Sequence, residues 1–282
     1  MRAAGGRRRA GGLRRGVLNA IALLAAFLFA FPVYWMFITA FKPADEIQTY
    51  VPVFIPTPTL ANFIKAINVP HFGDFARNSV LIAGSTLGLA LLIGFLTAAT
   101  LARARIRGRK GFLLLVAIAQ MAPFEALLIP FFLVMRDVGL YNQLPSLVIV
   151  YFIFTLPFTI WSLRGFIAGI PVDLEEAAMT DGASRLGAFV RVTLPLLGPG
   201  LVATAIFCFI TAWNEYFYAF VFMTDVQNYT LPVWLASFRT SLGTDWGATM
   251  AASTLFTLPV LIFFLAVQNR MVGGLTTGAV KG

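Results

Sequence analysis

Six long apolar stretches, at 17–41, 80–101, 111–134, 147–167, 200–223 and 249–267, constrain this sequence more than any other feature. Hydrocarbon offers no water to a peptide group, so a segment placed there must satisfy its own N–H and C=O groups. About 20 residues of helix reach across roughly 30 Å of it. The reading is an all-α polytopic membrane protein with six transmembrane helices. Only 12% of the residues are charged and 59% are hydrophobic, which excludes an ordinary soluble domain of 282 residues. The third stretch contains Gln120, Pro123, Glu125 and Pro130, and the fifth contains Asn214 and Glu215, so neither is a plain lipid-facing anchor.

Lys and Arg accumulate on the cytoplasmic side of a membrane protein. With both termini inside, 16 of the 21 basic residues fall on inner segments and inner helix ends, among them Arg7, Arg8, Arg9, Arg103, Arg105, Arg107, Arg109 and Lys110. The outer segments keep Lys42, Lys65, Arg77, Arg136 and Arg239, balanced by acids. The net charge of +9 therefore follows topology, and nucleic acid is not an expected partner. The 25-residue first run, preceded by arginines, is read as a retained span and not as a cleaved leader. Cys208 is the one cysteine and His71 the one histidine, too few soft ligands for a zinc site. The longest outer segment, 42–78, carries five prolines and is expected to be an ordered cap with short helical pieces, one at about 59–67.

Between the fourth and fifth stretches lies a polar loop, 172–195, containing Asp173, Glu175, Glu176 and Asp181, four of the twelve carboxylates. Asp173 followed by Glu176 has capping-box spacing for a short helix at about 174–180. Asp181-Gly182 is a turn pair, glycine supplying a backbone conformation that other residues avoid. A second short helix, about 184–193, places Leu186, Phe189, Val190 and Thr193 at helical spacing before Leu194-Pro195 turns the chain back. The loop reads as a bent two-helix knob facing the cytosol.

The order Glu176-Ala177-Ala178, three residues, Gly182, nine residues, Val192, then Leu194-Pro195 resembles the EAA signature of binding-protein-dependent ABC importer permeases, with Val192 where Ile is usual. Phe41-Lys42-Pro43, Leu156-Pro157-Phe158, Leu163-Arg164-Gly165-Phe166, Ala212-Trp213-Asn214-Glu215 and the tail from Gly274 to Gly282 are similar to carbohydrate-uptake permeases, more narrowly to the maltose-type G subunit. The resemblance covers essentially the whole chain. It implies a single transmembrane domain, 1–282, in a prokaryotic plasma (inner) membrane. It also implies a second permease subunit as heterodimer partner, an ATPase dimer in the cytosol and an extracytoplasmic sugar-binding protein. No cofactor is expected on this chain; ATP and Mg belong to the ATPase. In such a permease the knob docks into an ATPase cleft, so Glu175, Glu176, Ala177, Ala178, Asp181, Gly182, Leu186, Phe189, Leu194 and Pro195 are the implied coupling residues.

The chain is not itself the motor. A phosphate-binding loop needs Gly-x-x-x-x-Gly-Lys-[Ser/Thr], and after Gly273 and Gly278 comes Ala279 where Lys is required. Gln120, Glu125, Trp213, Asn214, Glu215 and Tyr216 offer hydrogen bonds and aromatic faces suited to a sugar pathway, and equally suit helix–helix packing. Two rival functions stay open. One is an ABC permease for another solute such as glycerol phosphate; the other is a proton-coupled carrier in which Glu125 and Glu215 titrate, against which the knob argues.

Overall fold

The computed structural model describes residues 5–240 and 243–268, with side chains from Arg15 onward. Its helices are α1 (Gly5–Ala40), α2 (Ala44–Ile47), α3 (Ala61–Ile67), α4 (Phe72–Arg103), α5 (Arg109–Gln120), α6 (Leu128–Asp137), α7 (Leu144–Gly169), α8 (Asp173–Thr180), α9 (Arg185–Ala188), α10 (Leu194–Leu196), α11 (Gly198–Trp213), α12 (Phe217–Phe222), α13 (Leu231–Ala236) and α14 (Trp246–Val267). A two-residue antiparallel hairpin, β1 (Arg239–Thr240) with β2 (Gly243–Thr244), is the only strand pairing among the described residues. The expected all-α class holds. Arg15–Ala40, α4, α7 and α14 are each long and apolar enough to cross a bilayer, and the described residues reach six spans if two bent helix pairs are each counted as one.

One compact unit contains α1, α2, α3, the hairpin and the first part of α14. The end of α1 is closed by the segment that follows it. Asn62 Nδ2 donates to the carbonyls of Ala40 (3.0 Å) and Lys42 (2.7 Å), and Thr59 N–H donates to Phe41 O at 2.9 Å. These bonds take up carbonyls that any helix terminus leaves without an internal partner. Lys42 is buried with its ammonium 3.9 Å from the centre of the Trp35 ring. Burial lowers its pKa, an effect that the neighbouring Glu46 charge partly offsets. Asp245 caps α14, accepting from Ala248 N–H at 3.0 Å, and pairs with Lys65. The segment 42–78 contains short helical pieces as expected, the second starting at Ala61.

The other unit holds α4 to α13 and the rest of α14. Lipid tails are as apolar as leucine, so helices in a membrane associate through close packing and hydrogen bonds. On α4, Ala83, Ala90, Gly94 and Ala98 are buried on one stripe, and a methyl group at Gly94 would overlap Thr159 of α7. At α11, Gly200 lies against Phe166 of α7 in the same manner. Thr159 and Cys208 meet at 3.1 Å and Ser162 and Thr204 at 3.0 Å, stitching α7 to α11. Both ends of the unit are tied by polar residues. At one end Asn78 donates to Gln227 O and Tyr229 O, and Asn142 accepts from Thr224 and Asp225 N–H. At the other, Arg103 meets the polar loop.

Two expected spans are broken. The stretch 111–134 is not one helix: α5 stops at Gln120, a 3-10 turn follows at Glu125–Leu127, and the axis bends by 86°. Pro123 supplies the cause, since it has no N–H to continue the ladder and its ring clashes with the preceding turn. The stretch 200–223 breaks after Trp213. Glu215 accepts from Tyr218 N–H (3.0 Å) and Ala219 N–H (3.2 Å), so its carboxylate starts α12 as a new helix.

Candidate functional site

The polar loop forms a knob of two helical pieces, as expected, with local chemistry that differs at four points. The capping box is absent: Val172 stands at the N-cap of α8 with no side-chain bond, and its carbonyl accepts from Glu175 and Glu176 N–H. Asp173 and Glu176 instead lie inside the helix, where their charge still favours its positive end. Gly182 has φ +92 and makes the turn. Ser184 then caps α9 by accepting from Gly187 N–H at 3.1 Å. Second, α9 runs into a π-helical turn, Phe189–Thr193, and on into α10. Third, Leu194-Pro195 therefore does not return the chain to the membrane. Pro195 lies within this continuous helical run, two residues past the π-helical turn, and the 67° bend falls at Leu197.

Fourth, the expected coupling residues divide into two faces. Glu176, Ala177, Asp181, Gly182, Leu186 and Pro195 are exposed, and Ala178 and Leu194 half-buried. Leu186, 73% exposed, is an apolar side chain at the tip of a polar knob. Glu175 and Phe189 turn inward. Phe189 stacks toward Phe95 of α4 with ring centres 5.9 Å apart and packs on the cluster of Ala98, Leu163, Ile167 and Leu197. Glu175 is 6% exposed; its Oε1 accepts from Arg103 Nε at 2.7 Å and from the Thr193 hydroxyl. Arg103 Nη2 also donates to Ile170 O, at 3.0 Å, at the end of α7. In the sequence Arg103 is only one of the basic residues that mark topology. The signal available was an arginine at the last position of a span with a carboxylate pair later on the same side.

The candidate pathway residues divide as well. Trp213 and Glu215 are buried: Trp213 Nε1 donates to Phe256 O at 3.2 Å, and Glu215 accepts from Tyr151 and from two amides of α12. Gln120, Glu125 and Asn214 are exposed and Tyr216 half-buried, stacked on Phe220. The structure joins the two breaks themselves. Phe124 and Tyr218 rings lie 4.6 Å apart, and the Tyr218 hydroxyl donates to Phe124 O at 2.8 Å. Interrupted helices at membrane depth are tolerated where protein or a water-filled cavity covers the freed backbone. Leu275 to Gly282, part of the expected sugar-type tail, lies outside the described residues.

Comparison with known proteins agrees with this geometry. The chain is 46% identical over 265 residues to the diacetylchitobiose uptake system permease protein DasC of Streptomyces coelicolor, covering 94% of this chain and 96% of that one. It is 35% identical to the trehalose/maltose transport system permease protein MalG of Thermococcus litoralis, covering 96% and 98%. A chain from the crystal structure of a bacterial ABC transporter that imports the acidic polysaccharide alginate superimposes with a TM-score of 0.75 at 24% identity, over 95% of this chain and 99% of that one. The model of binding-protein-dependent transport system inner membrane components matches residues 90–277, which include both helix breaks and the whole knob. The chain belongs to that family, and is a transport subunit and not an enzyme.

Proposed function

We propose that this chain forms half of the translocation pathway of an ATP-driven importer for a sugar or oligosaccharide. The observation that carries the reading is the exposed knob with its EAA spacing at one end of an otherwise apolar helix bundle. The uptake of sugars by the relatives DasC and MalG supports the substrate class. Residues 1–282 act as one transmembrane domain of six spans, with both termini and loop 172–195 in the cytoplasm. Its partners are a second permease subunit, an ATPase dimer that binds ATP and Mg, and an external sugar-binding protein.

The exposed face of the knob, Glu176, Ala177, Asp181, Gly182 and Leu186, docks on the ATPase. Leu186 supplies an apolar anchor, Glu176 a charge for basic groups, and the small residues allow close approach. Of the pathway candidates, Gln120, Glu125, Asn214 and Tyr216 remain available to a solute beside the joined breaks. Reconstitution of the complex in vesicles, with sugar flux and ATP hydrolysis measured together, tests the reading. Flux that needs external binding protein and internal ATP supports it; uptake driven by a proton gradient in the absence of ATP refutes it.

A further inference from the structure

We infer that Arg103 and Glu175 are positioning residues that clamp the knob to the membrane helices and carry its displacement into α4 and α7. This inference rests on the reading of the knob as the coupling element, and assigns a role to a face of the knob that does not dock. A knob connected to the bundle only through flexible backbone would move without moving a helix. Transmission between sites requires packed elements with discrete arrangements.

Four elements meet at one ion pair. Glu175 belongs to the first turn of α8, Thr193 to the π-helical turn, Arg103 to the last residue of α4, and Ile170 to the end of α7. Glu175 Oε1 takes the Arg103 Nε–H at 2.7 Å and the Thr193 hydroxyl, while Arg103 Nη2 holds Ile170 O at 3.0 Å. Side-chain exposure is 16% for Arg103 and 8% for Glu175, so water screens the pair little. Charge-assisted bonds of this kind are short and directional, and guanidinium serves two acceptors at once from a rigid plane. Phe189 adds an apolar contact to the same helix through Phe95. The knob is therefore held to α4 at two separated points, a hinge-free attachment.

Of the other basic residues on the knob and on the neighbouring helix ends, Arg105, Arg107, Lys110, Arg185 and Arg191 are exposed, and Arg109 and Arg164 half-buried. None of them shares the Glu175 carboxylate. The clamp thus differs from its neighbours in its partner, not in charge alone.

The test uses the complete complex of both permeases, ATPase and binding protein in vesicles. Glu175→Gln keeps the side chain's shape and removes its charge, Thr193→Val removes only the hydroxyl, and Arg103→Lys keeps the charge but has no planar fork for two acceptors. The expected result is that sugar transported per ATP hydrolysed falls about fivefold or more in Glu175→Gln, the lower end of ordinary coupling effects. Complex yield and binding-protein-stimulated hydrolysis should stay within about twofold, and Arg103→Lys should fall in between. A merely structural role lowers yield, hydrolysis and flux in parallel and leaves their ratio unchanged; that result, or a wild-type ratio in all assembled variants, overturns the clamp. If Glu175→Gln does not assemble, Thr193→Val and Arg103→Lys give the ratio on their own. Leu186→Asp on the exposed face runs alongside. If it leaves ATPase docking and coupling intact, the knob is not the coupling element and the clamp falls with that reading; if it uncouples while the clamp variants do not, only the clamp is lost.

Discussion

The Tyr218 hydroxyl donates to the Phe124 carbonyl at 2.8 Å, and so joins the interruption in one apolar stretch to the interruption in another. Phe124 O also accepts from Leu127 N–H at 3.2 Å, so removing the hydroxyl does not orphan it. Tyr218→Phe keeps the ring contact with Phe124 and loses one bond, at about 1 kcal/mol. Thermal unfolding of the purified complex should show a small decrease. Sugar flux should change more than stability does, because the two breaks lose their common reference. A larger effect on unfolding than on flux would make the bond a packing detail.

Glu215 discriminates between an ATP-driven and a proton-coupled carrier. Its carboxylate, 8% exposed, is filled by three donors, from Tyr151, Tyr218 and Ala219. Glu215→Gln turns an acceptor into a donor that faces another donor, a loss of about 1–3 kcal/mol. The variant should unfold at a lower temperature, while the uptake that remains is insensitive to a protonophore. A variant of unchanged stability that has lost all transport would point to a titrating group.

At Gly182 the backbone adopts φ +92 with open space around the site of a Cβ. Gly182→Ala therefore meets no neighbour and suffers only the backbone preference of an L residue, about 1–2 kcal/mol. Gly182→Pro fixes φ near roughly −65° and removes the N–H that bonds Met179 O at 3.1 Å. Alanine should leave most coupling intact and proline should abolish it with the spans still assembled. Parallel assays of hydrolysis and flux separate the two, and wild-type coupling in the proline variant would exclude the bend from the mechanism.

Cysteines at Asp181 and Gln143, both exposed, test the orientation once the buried Cys208 is replaced by alanine. Asp181 is preferred to Ser184, whose hydroxyl caps α9. A membrane-impermeant maleimide applied to intact cells should label position 143 and spare 181. The reverse pattern would invert the topology.

Asp245 links the hairpin region to pH. Burial raises its pKa, but the Lys65 hydrogen bond and charge and the Ala248 and Gly247 amides outweigh burial, so the net shift is downward. A depressed carboxylate contributes stability that is complete above its unfolded pKa, about 3.9, and lost as pH falls through the lower folded value. The unfolding temperatures of the parent and Asp245→Asn should differ modestly at pH 7 and converge below pH of about 3.5. A difference that grows on acidification would contradict the assignment. The partly exposed pair makes the effect small.

Apolar length made the spans legible in the sequence, because it is a property of composition along a window. The spacing of Glu176, Gly182 and Pro195 was visible for the same reason. Where the helices break was only half legible: Pro123 announced one interruption, but Glu215 opens α12 through amides that it reaches only once the chain has folded back. Glu175 and Glu176 are adjacent and identical, and nothing local decides which one faces out. That choice is made by Arg103, 72 residues away. Likewise Phe189 and Leu186 share helical spacing in the sequence, and only the folded chain shows Phe189 against Phe95 while Leu186 stays exposed.

That turn also sets a rule about length. A π turn closes on the fifth residue instead of the fourth, so Phe189–Thr193 stores one residue more than an α-helix of equal rise would hold. Loss of one residue from Val190, Arg191 or Val192 lets the segment relax to α geometry with Leu197 and α11 still in phase. Gain of one has nowhere to go, and rotates everything that follows by about 100°. The knob thus tolerates shortening and resists lengthening, an asymmetry that a count of residues between Gly182 and Pro195 would register in any chain built on the same plan.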